Sequence, residues 1–521
     1  METQRLKRIE GLPERYNVAT DLLGRNLSAG RSDKVAVVDH ERSTTYGELA
    51  EMAAKVGNLF AELNVERENR ILLCLTDTVD FPIAFLGAIQ AGIVPVPVNT
   101  LLTSDDYEWM LADSRAKAVI VSAELADKWE AIAASNPQTR FLVSGGQKSG
   151  WHDFRQLLDG AQASAPADTA RDEAAFWLYT SGSTGRPKGA VHTHASLRLI
   201  ADLYGSGVAG YREDDVVLSV AKLFFAYGLG NSLAFPFAVG ATVVLSHERS
   251  TPEAISRLIE AHSVSILCGV PTFFAGFLNS PCAPTRAKVS NLRLATSAGE
   301  CLPPHIGQLF LERYGVDIID GLGSTEMLHI FLSQRPGEVK YGCTGKPVVG
   351  YELRVVDEQG LDAPPGTIGE LQIKGPTTAT CYWNNRPKSR STFLGEWMRS
   401  GDRYVVDEEG WYTYCGRGDD MLKVGGIYVS PIEVEEVLSC HPGVLEVAVV
   451  GAEDDAGLIK PKAFVVLKPG ATPCDEMAAS LKAHVKERLA PYKYPRWFVF
   501  VEELPKTATG KIQRFRLRAN A

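Results

Sequence analysis

The sequence predicts an α/β protein in which a large N-terminal domain of layered α/β subdomains plus a β subdomain precedes a small α+β C-terminal domain. Apolar runs of strand length alternate with helical patterns through most of the chain. Short strands separated by Gly, Pro and Asp turns begin near Tyr351, and the pattern changes again near Arg417. We therefore divide the chain into residues 1–418 and 419–521.

Five apolar runs predict strands of the large domain. They are KVAVVDH from Lys34, RILLCL from Arg70, AKAVIVSA from Ala116, VSILCGVP from Val264 and LRLATSAGE from Leu292. The last run is followed by a predicted helix that has Pro304 near its start and Gly315 as its stop. Its apolar residues Ile306, Leu309 and Phe310 share one face, and the strand VDIID follows directly.

The remainder of the chain predicts two further groups of elements. Turn-rich sequence from Tyr351 onwards predicts antiparallel strands that close the large domain. The last hundred or so residues predict a small α+β domain, with the helix PIEVEEVLSCH, the strands LEVAVVG and KAFVVLKP, the helix DEMAASLKAHVKERLA and the strand WFVFVEEL.

Composition excludes several classes of function. The 521 residues are 45% hydrophobic, which allows a large core, and the net charge of -9 comes without basic arms, so we expect no nucleic-acid partner. The charged N-terminus lacks the apolar core of a signal peptide, and no long apolar segment follows. We expect a cytoplasmic protein that contacts no membrane. Nine scattered cysteines without Cys-x-x-Cys or zinc spacing are expected to be reduced packing residues.

The segment Tyr179–Gly189, YTSGSTGRPKG, has the composition of a phosphate cradle. Its glycines let the backbone approach an anion, its hydroxyls donate hydrogen bonds, and its lysine adds positive charge. The spacing is not that of a Walker A loop, and a flexible Gly/Ser surface turn is the alternative. The candidate nucleotide-binding residues are Thr180, Ser181, Gly182, Ser183, Thr184, Gly185 and Lys188.

A second candidate, Asp320–Glu326, has the sequence DGLGSTE and follows the strand VDIID. Its glycines leave room for a ligand at the end of a strand. Thr325 can hydrogen-bond a phosphate, and Glu326 can bind Mg²⁺. An ordinary strand-to-helix turn explains the same residues equally well.

Three charged residues further along complete the set of candidates. Asp402, in SGD, can accept hydrogen bonds from ribose hydroxyls, and Arg417, in GRGDDMLKVGG, suits a sugar or phosphate. Lys511 follows a glycine in PKTATGKIQR. Each is also explained as a charged turn or a solvated surface cation.

Taken in this order, YTSGSTGRPKG, GLGSTE, SGD, GRGDDMLKVGG and PKTATGKIQR resemble five motifs of the adenylate-forming superfamily. That superfamily contains acyl- and aryl-CoA synthetases, adenylation domains and luciferases. The resemblance covers essentially the whole chain. The segments GLGSTEMLHIFLS, YWNNRPKSRSTFLGEWMRSGD and DDMLKVGG look like the benzoate–CoA ligase branch.

The resemblance implies a role for each motif. Residues 180 to 188 would wrap the ATP pyrophosphate, Thr325 would meet the α-phosphate, Glu326 would bind Mg²⁺, and Asp320 would belong to the same nucleotide site. Asp402 and Arg417 would hold the ribose. Lys511 would bridge the substrate carboxylate and the α-phosphate during attack.

The resemblance also implies that the C-terminal domain is mobile. It would rotate about Asp419 after adenylation, which removes Lys511 and brings in Gly425 and Gly426 to line the tunnel through which coenzyme A attacks. Lys423 fits the branch pattern, and its role stays open.

The implied activity is AMP-forming ligation of a small aromatic acid to coenzyme A, with benzoate as the expected acid and ATP and Mg²⁺ as cofactors. The expected acyl pocket is a flat apolar slot that suits a planar ring. It is formed by Phe225, Ala226, Tyr227, Ala298, Gly321, Gly323, His329 and Ile330. Ordinary core packing is the alternative for the aromatic residues. His329 either donates a hydrogen bond to a ring substituent or only lines the pocket. Hydroxy-, amino- and fluorobenzoates therefore remain alternative substrates.

Other partners and functions stay open as well. The acceptor could be a separate carrier protein instead of coenzyme A, and a luciferase-like oxidoreductase or an ATP sensor would share the nucleotide motifs. The PKTATGK segment resembles sites of reversible lysine acetylation, so an acetyltransferase and a deacetylase acting on Lys511 are expected partners. A homodimer is the expected assembly.

Overall fold

The computed structural model describes residues 11–182, 185–418, 420–424, 427–454, 459–489, 493–506 and 512–518. The chain divides into two units. Unit 1 contains Met1–Tyr341, Gly345–Glu352 and Lys374–Met398, and unit 2 contains Gly342–Thr344, Leu353–Ile373 and Arg399–Ala521. Each unit mixes helices with strands, so the predicted α/β class is confirmed.

The strands follow the sequence pattern closely. They are β1 Val35–Val38, β2 Ser43–Thr45, β3 Arg70–Cys74, β4 Val94–Pro97, β5 Ala118–Ser122, β6 Arg140–Ser144, β7 His152–Asp153, β8 Ala174–Gly182, β9 Gly185–Thr193, β10 Val216–Ser219, β11 Thr242–Val244, β12 Ile266–Gly269, β13 Leu294–Ala298, β14 Ile318–Gly323, β15 Ile330–Ser333, β16 Lys346–Pro347, β17 Glu352–Val356, β18 Gly369–Lys374, β19 Phe393–Leu394, β20 Trp397–Val406, β21 Tyr412–Arg417, β22 Leu422–Val424, β23 Ile427–Val429, β24 Val444–Glu453, β25 Ile459–Leu467 and β26 Trp497–Phe500. All five apolar runs contain a strand, as predicted.

The helices occupy the intervening segments. They are α1 Val18–Ser28, α2 Tyr46–Glu62, α3 Asp80–Gln90, α4 Ser104–Ser114, α5 Glu130–Ser135, α6 Phe154–Gly160, α7 His194–Ile200, α8 Ala226–Leu229, α9 Phe235–Val239, α10 Pro252–His262, α11 Pro271–Asn279, α12 Pro304–Tyr314, α13 Arg386–Thr392, α14 Pro431–Ser439, α15 Asp475–Lys486 and α16 Arg514–Arg518. Short 3₁₀ turns span Ala123–Trp129 and Arg286–Val289, and π-helical segments span Ala201–Ala209 and Gly230–Ala234.

The largest sheet of unit 1 has nine strands in the order β16-β15-β14-β13-β12-β10-β11-β1-β2. From β1 through β14 the neighbouring strands run parallel, and antiparallel strands β2, β15 and β16 lie at its ends. The carboxyl ends of β10, β13 and β14 therefore meet at one edge, where ligands bind in sheets of this kind. Candidate residues 225–227, 298 and 321–326 all follow or end these strands.

A second sheet and a hairpin complete unit 1. Strands β4-β3-β5-β6-β7 form a parallel sheet, and β8 pairs antiparallel with β9. The buried rings of Tyr107 and Trp129 stack beside this sheet with centroids 4.6 Å apart. The apolar runs are continuous because both faces of a parallel sheet are covered.

Unit 2 carries the elements predicted for the end of the chain. Strands β17, β18 and β20 lie in that order in one sheet, and β21 pairs antiparallel with β20. Strands β24, β25 and β26 form a sheet that packs on α14 and α15 through buried residues such as Val434, Leu438, Val449, Leu481 and Val485. Helix α15 ends at Lys486, earlier than its sequence pattern predicted.

Helix α12 confirms the predicted start and stop, with one error. It begins at Pro304, and Gly315 ends it in the left-handed region with φ of 69°. Ile306 and Phe310 are buried, but Leu309 is 45% exposed. The prediction that Leu309 belongs to the buried apolar face of this helix is therefore wrong.

The cysteine prediction is partly wrong. All nine cysteines are free thiols, as expected, but Cys282, Cys440 and Cys474 are exposed and so pack no core. Within the described part of the chain, no helix combines the length and apolar character needed to cross a bilayer.

We predict opposite stability changes for two glycine-to-alanine substitutions. Gly315→Ala should lower the free energy of unfolding by about 1–2 kcal/mol, because an L-residue is strained at positive φ. Gly24→Ala, inside α1 with no atom within 4 Å of an added Cβ, should raise it by about 0.5–1 kcal/mol. Equilibrium urea unfolding measures both, and equal shifts would contradict the assigned capping role of Gly315.

Candidate active site

The hairpin formed by β8 and β9 carries the first candidate motif along two strands. Its register places Thr180 opposite Lys188 and Gly182 opposite Gly185. Thr180 and Lys188 are half-buried, so both are accessible to a ligand. The motif therefore lies on two paired strands, the first ending at Gly182 and the second beginning at Gly185. The pairing places Thr180 directly opposite Lys188.

The segment 379–383 lies against the outer side of β9. Its backbone exchanges hydrogen bonds with Val191, from Val191 N to Cys381 O at 3.0 Å and from Thr380 N to Val191 O at 2.9 Å. Trp383 N donates to Gly189 O at 2.7 Å, and the Trp383 and Trp177 rings lie 4.4 Å apart. This pairing brings Tyr382 to within 5.1 Å of Lys188 Nζ, measured to the ring centroid.

The turn 324–328 holds the second motif, with Thr325 and Glu326 half-buried. The Tyr382 hydroxyl donates to Glu326 Oε1 at 2.6 Å, and Ala379 N donates to Glu326 O at 2.7 Å. Leu328 adopts a φ of 68°, which is uncommon for a branched residue and closes the turn. Glu326 is thus fixed by the same segment that pairs with the hairpin.

Tyr227 and His329 form the aromatic part of the acyl candidate. Their rings stack with centroids 5.5 Å apart, and the Tyr227 hydroxyl lies 2.6 Å from Thr296 Oγ1. His329 is 2% exposed, and burial lowers its pKa to about 3, so the ring is neutral. Its Nδ1 is buried without a hydrogen-bond partner among the described residues.

The sheet edge supplies the remaining pocket residues. Ala298 pairs with Gly321, and Gly323 pairs with Ile330, on three adjacent strands. A Cβ on Gly321 would lie 2.9 Å from Ile330 Cγ2, so only glycine fits without displacing that side chain. Six of the eight predicted residues are thereby brought together through Tyr227, His329 and this edge.

The other two residues, Phe225 and Ala226, lie at the start of α8 beside Tyr227. The preceding residues are anchored, because Lys222 Nζ donates to Ser246 O at 2.5 Å and Asp77 Oδ1 accepts from Leu223 N at 3.1 Å. Burial raises the pKa of Asp77 to about 6, and the nearby lysine opposes that shift.

Two π-helical segments enclose His329 from the other side. Tyr204, in Ala201–Ala209, lies 5.3 Å from His329 between ring centroids, and Phe235, directly after Gly230–Ala234, lies 4.6 Å away. A Cβ on Gly230 would approach His329 Cδ2 to 2.4 Å. π-helical turns are rare and occur frequently at functional sites.

Asp320 is buried on β14, directly before Gly321. Burial raises the pKa of its carboxyl to about 8, against the influence of the amides of Leu302 and Gly321 and the hydroxyl of Ser297. The Asp320 backbone carbonyl accepts hydrogen bonds from Gln334 N at 3.0 Å and Ser333 Oγ at 3.1 Å. The carboxyl is therefore largely protonated at neutral pH.

In unit 2, the structure pairs two predicted residues. Asp402 and Arg417 are opposite each other across β20 and β21, and Arg417 Nη1 donates to Asp402 Oδ1 at 2.9 Å and to Ser400 O at 3.1 Å. The Asp402 side chain is 12% exposed and the Arg417 side chain 48%. Lys423 lies on β22, paired with Tyr428.

Several predicted residues lie outside the described part of the chain. They are Ser183, Thr184, Asp419, Gly425, Gly426 and Lys511. Ser181, Gly182 and Gly185 are described as strand backbone only. Their assigned roles remain predictions, as does the division into residues 1–418 and 419–521.

Comparison with known proteins decides the family. The AMP-binding enzyme family matches residues 25–383, and the AMP-binding enzyme C-terminal domain matches residues 433–511. The chain belongs to the AMP-binding enzymes. The predicted resemblance to adenylate-forming enzymes is thereby confirmed.

Individual AMP-binding enzymes are similar over nearly the whole chain. The benzoate–CoA ligase of Thauera aromatica is 54% identical over 510 residues, which are 98% of this chain and 97% of that protein. A benzoate CoA ligase structure from Burkholderia xenovorans matches with a TM-score of 0.91 and 52% identity, covering 96% of this chain and 100% of that chain. An anthranilate CoA ligase in complex with anthranoyl-AMP matches with a TM-score of 0.94 and 41% identity, covering 98% of each chain.

Sequence reasoning missed four residues at the site of this AMP-binding enzyme: His192, Thr296, Tyr204 and Tyr382. His192 and Tyr382 contact Thr325 and Glu326, whereas Thr296 and Tyr204 contact Tyr227 and His329. Tyr382 and His192 stand within or beside recognised motifs, and that position in the sequence could have identified them as site residues. Thr296 and Tyr204 carried none, because isolated polar residues in apolar runs are typical of cores.

We predict that Asp320→Asn changes how stability depends on pH. The folded carboxyl has a pKa of about 8 and the unfolded one about 3.9, so its contribution is complete below pH 4 and is lost as pH rises towards 8. The variant should therefore gain stability over the wild type with rising pH, by up to about 1.4 kcal/mol per pH unit. Urea unfolding between pH 5 and 8 measures this difference, and a constant difference would contradict the assignment.

Proposed function

We propose that this AMP-binding enzyme is an AMP-forming benzoate–CoA ligase. Benzoate and ATP would give benzoyl-AMP and pyrophosphate, and the thiol of coenzyme A would then displace AMP to give benzoyl-CoA. One observation carries the proposal: β14 and the turn after it hold the glycines of the ring slot and, two residues later, Thr325 and Glu326. An acid and a phosphate bound there would be neighbours.

The similar proteins support the choice of acid. The relatives from Thauera and Burkholderia are named benzoate–CoA ligases, and the anthranilate CoA ligase holds an aryl adenylate. Identity above half over the whole length makes the same substrate class the best expectation for this chain.

In the proposed reaction the nucleotide phosphates lie along the hairpin and the turn 324–328. Lys188 and the Thr180 hydroxyl would hold the departing pyrophosphate, and Thr325 would hydrogen-bond the α-phosphate. Positive charge and donors at the phosphates disperse the negative charge that builds up as the carboxylate attacks. In unit 2, Asp402 and Arg417 would bind the ribose.

The Glu326 carboxylate fits a magnesium-binding role because it is half-buried and its Oε1 is oriented by Tyr382. Within the described residues, no three His, Cys, Asp or Glu side chains cluster to hold a metal ion by themselves. In Mg²⁺ sites of nucleotide-using enzymes, substrate phosphates commonly supply further oxygens. Bound there, Mg²⁺ would neutralise phosphate charge.

The residues proposed for the ring slot suit a flat aryl group better than a small acid. Tyr227 offers an aromatic face, and the apolar side chain of Ile330 packs directly over Gly321, where a Cβ would lie 2.9 Å from Ile330 Cγ2. Burial of a phenyl ring stabilises such a complex, whereas acetate would leave the slot largely empty.

A substituted benzoate is a second candidate, favoured by His329. Its buried Nδ1 is without a partner in the described structure, and burying an unpaired polar atom is unfavourable. A ring amino or hydroxyl group could satisfy such an atom. Fluorobenzoates fit the slot by size alone.

A pyrophosphate-release screen tests both candidates. The acids are benzoate, hydroxybenzoates, 2-aminobenzoate, fluorobenzoates, cinnamate, acetate and hexanoate. Benzoate should give the highest kcat/KM, and acetate and hexanoate the lowest. Preference for an aliphatic acid would overturn the proposal, and preference for an amino- or hydroxybenzoate would select the second candidate.

The acceptor is tested separately from the acid. Coenzyme A is proposed because the C-terminal domain of the family is present from residue 433 to 511. Thioester formation should proceed with coenzyme A alone. Adenylate formation without any benzoyl-CoA would favour a separate carrier protein, and light emission or nucleotide binding without turnover would favour the luciferase-like or sensor alternatives.

We further propose that residues 419–521 alternate between two roles about Asp419. Lys511 would serve adenylation by bridging the carboxylate and the α-phosphate, and Gly425 and Gly426 would line the coenzyme A tunnel during thioester formation. The role of Lys423 stays open.

We predict that Lys511→Ala abolishes adenylation but not thioester formation. The variant should release pyrophosphate at least about 100-fold more slowly, because it lacks the charge that bridges the reacting groups. It should still convert supplied benzoyl-AMP and coenzyme A to benzoyl-CoA near the wild-type rate. Rapid-quench assays of each half-reaction measure this, and equal losses in both would contradict the role.

Asp419→Pro is the reciprocal control. Proline restricts the backbone at the proposed hinge, so benzoyl-AMP should form and remain bound while benzoyl-CoA accumulates slowly. Normal thioester turnover would show that the chain does not hinge at this residue.

Two further proposals concern partners and location. An acetyltransferase would inactivate the enzyme by neutralising Lys511, and a deacetylase would restore it. Intact-mass analysis of protein from its native host should show a 42 Da increment, about one acetyl group, and its complete absence would count against this. Cell fractionation tests the proposed cytoplasmic location, and light scattering tests the proposed homodimer.

A further inference from the structure

His192 is a buried polar residue that the proposed reaction does not use. It lies on β9 opposite Phe176, and the two rings stack with centroids 5.4 Å apart and an interplanar angle of 24°. The residue is fully buried. Its Nε2 lies 2.8 Å from the backbone carbonyl oxygen of Thr325.

The contact fixes the position of the proton on the ring. A carbonyl oxygen only accepts hydrogen bonds, so Nε2 carries the hydrogen and donates it. Burial lowers the pKa of His192 to about 4, so the ring holds that single proton at neutral pH. Nδ1 is then an acceptor, and it is buried without a partner among the described residues.

An apolar side chain would avoid this unpaired nitrogen. Burying an unsatisfied acceptor is unfavourable, and Phe176 already supplies an apolar surface at this position. What the histidine adds to the site is the donor that reaches Thr325. The hydrogen bond therefore accounts for the histidine better than packing does.

The bond connects two elements that must be aligned. Thr180 and Lys188 belong to the same hairpin as His192, and Thr325 and Glu326 belong to the turn 324–328. The segment 379–383 already connects the hairpin to Glu326, because its backbone pairs with Val191 and its Tyr382 hydroxyl donates to Glu326. His192 makes the second connection, directly to the residue before Glu326.

We propose that His192 is a positioning residue that sets the spacing between the hairpin and Thr325 by donating its Nε2 hydrogen to the Thr325 carbonyl. This inference rests on the proposed function, because the spacing matters where one triphosphate contacts both elements. His192 touches no substrate. Without it, the turn would lose the described hydrogen bond that joins it directly to the hairpin, and small misplacements of reacting groups cost about 100-fold in rate.

The two amide residues provide a matched test. Gln Nε2 occupies roughly the place of His Nε2, whereas Asn Nδ2 occupies roughly that of His Nδ1 and points away from Thr325. His192→Gln should keep pyrophosphate release within about 3-fold of wild type, and His192→Asn and His192→Leu should lower its kcat by about 10- to 100-fold. The KM for benzoate should change little in all three variants, because no group of the ring slot is removed.

A purely structural role gives a different pattern. It predicts equal activity for His192→Gln and His192→Asn at equal stability, or the best activity for the apolar His192→Leu. Thermal unfolding of each variant identifies any that fail to fold. If His192→Leu fails to fold, the comparison of His192→Gln with His192→Asn still decides the question. Equal kcat values for Gln and Asn, or full activity of His192→Leu, would overturn the proposal.

A spectroscopic measurement stands apart from activity. In protein labelled with [¹⁵N]histidine, His192 should show the neutral Nε2–H tautomer between pH 6 and 8, assigned by its loss in His192→Gln. A protonated ring or the Nδ1–H tautomer would overturn the inference. If wild type releases no pyrophosphate with any acid, the proposed function fails, and the spectrum still reports whether His192 donates to Thr325.

Discussion

The backbone pairing between segment 379–383 and strand β9 is the interaction on which the candidate site in unit 1 depends. Hydrogen bonds at Gly189 and Val191 hold the two segments side by side. The indole rings of Trp177 and Trp383 pack along the same contact, with centroids 4.4 Å apart. This pairing brings Tyr382 to both Lys188 and Glu326. Residues separated by almost 200 positions in sequence thereby share one rigid frame.

The frame beneath the site is polar but largely uncharged. His192 and His329 are fully or almost fully buried, and their depressed pKa values keep both rings neutral at ordinary pH. Burial in low dielectric disfavours charge, and neutral donors and acceptors still orient their neighbours. In the proposed reaction, phosphate charge would therefore be met by groups that reach the surface of the site, such as Lys188, and not by these two rings.

The sequence was informative where local chemistry repeats a known pattern. Gly315 ended a helix, the apolar runs became strands, and Asp402 met Arg417 because both stand on paired strands. It was uninformative where a role depends on distant neighbours. His192 reads as a core histidine until Thr325 is seen beside it, and Leu309 reads as buried until the neighbouring surface is known. Long-range contacts of this kind have no signature in a single chain.

The π-helical segments Ala201–Ala209 and Gly230–Ala234 also bear on how such a pocket can diversify. A π turn contains about one residue more than an α turn, so deleting a single codon there can restore ordinary helix while the flanking turns keep their faces. Residues inside the segment, such as Tyr204, would shift relative to His329 while the flanking helix kept its packing. A single-residue insertion or deletion in these helices would therefore alter the surroundings of His329 in a way that no substitution at one position reproduces.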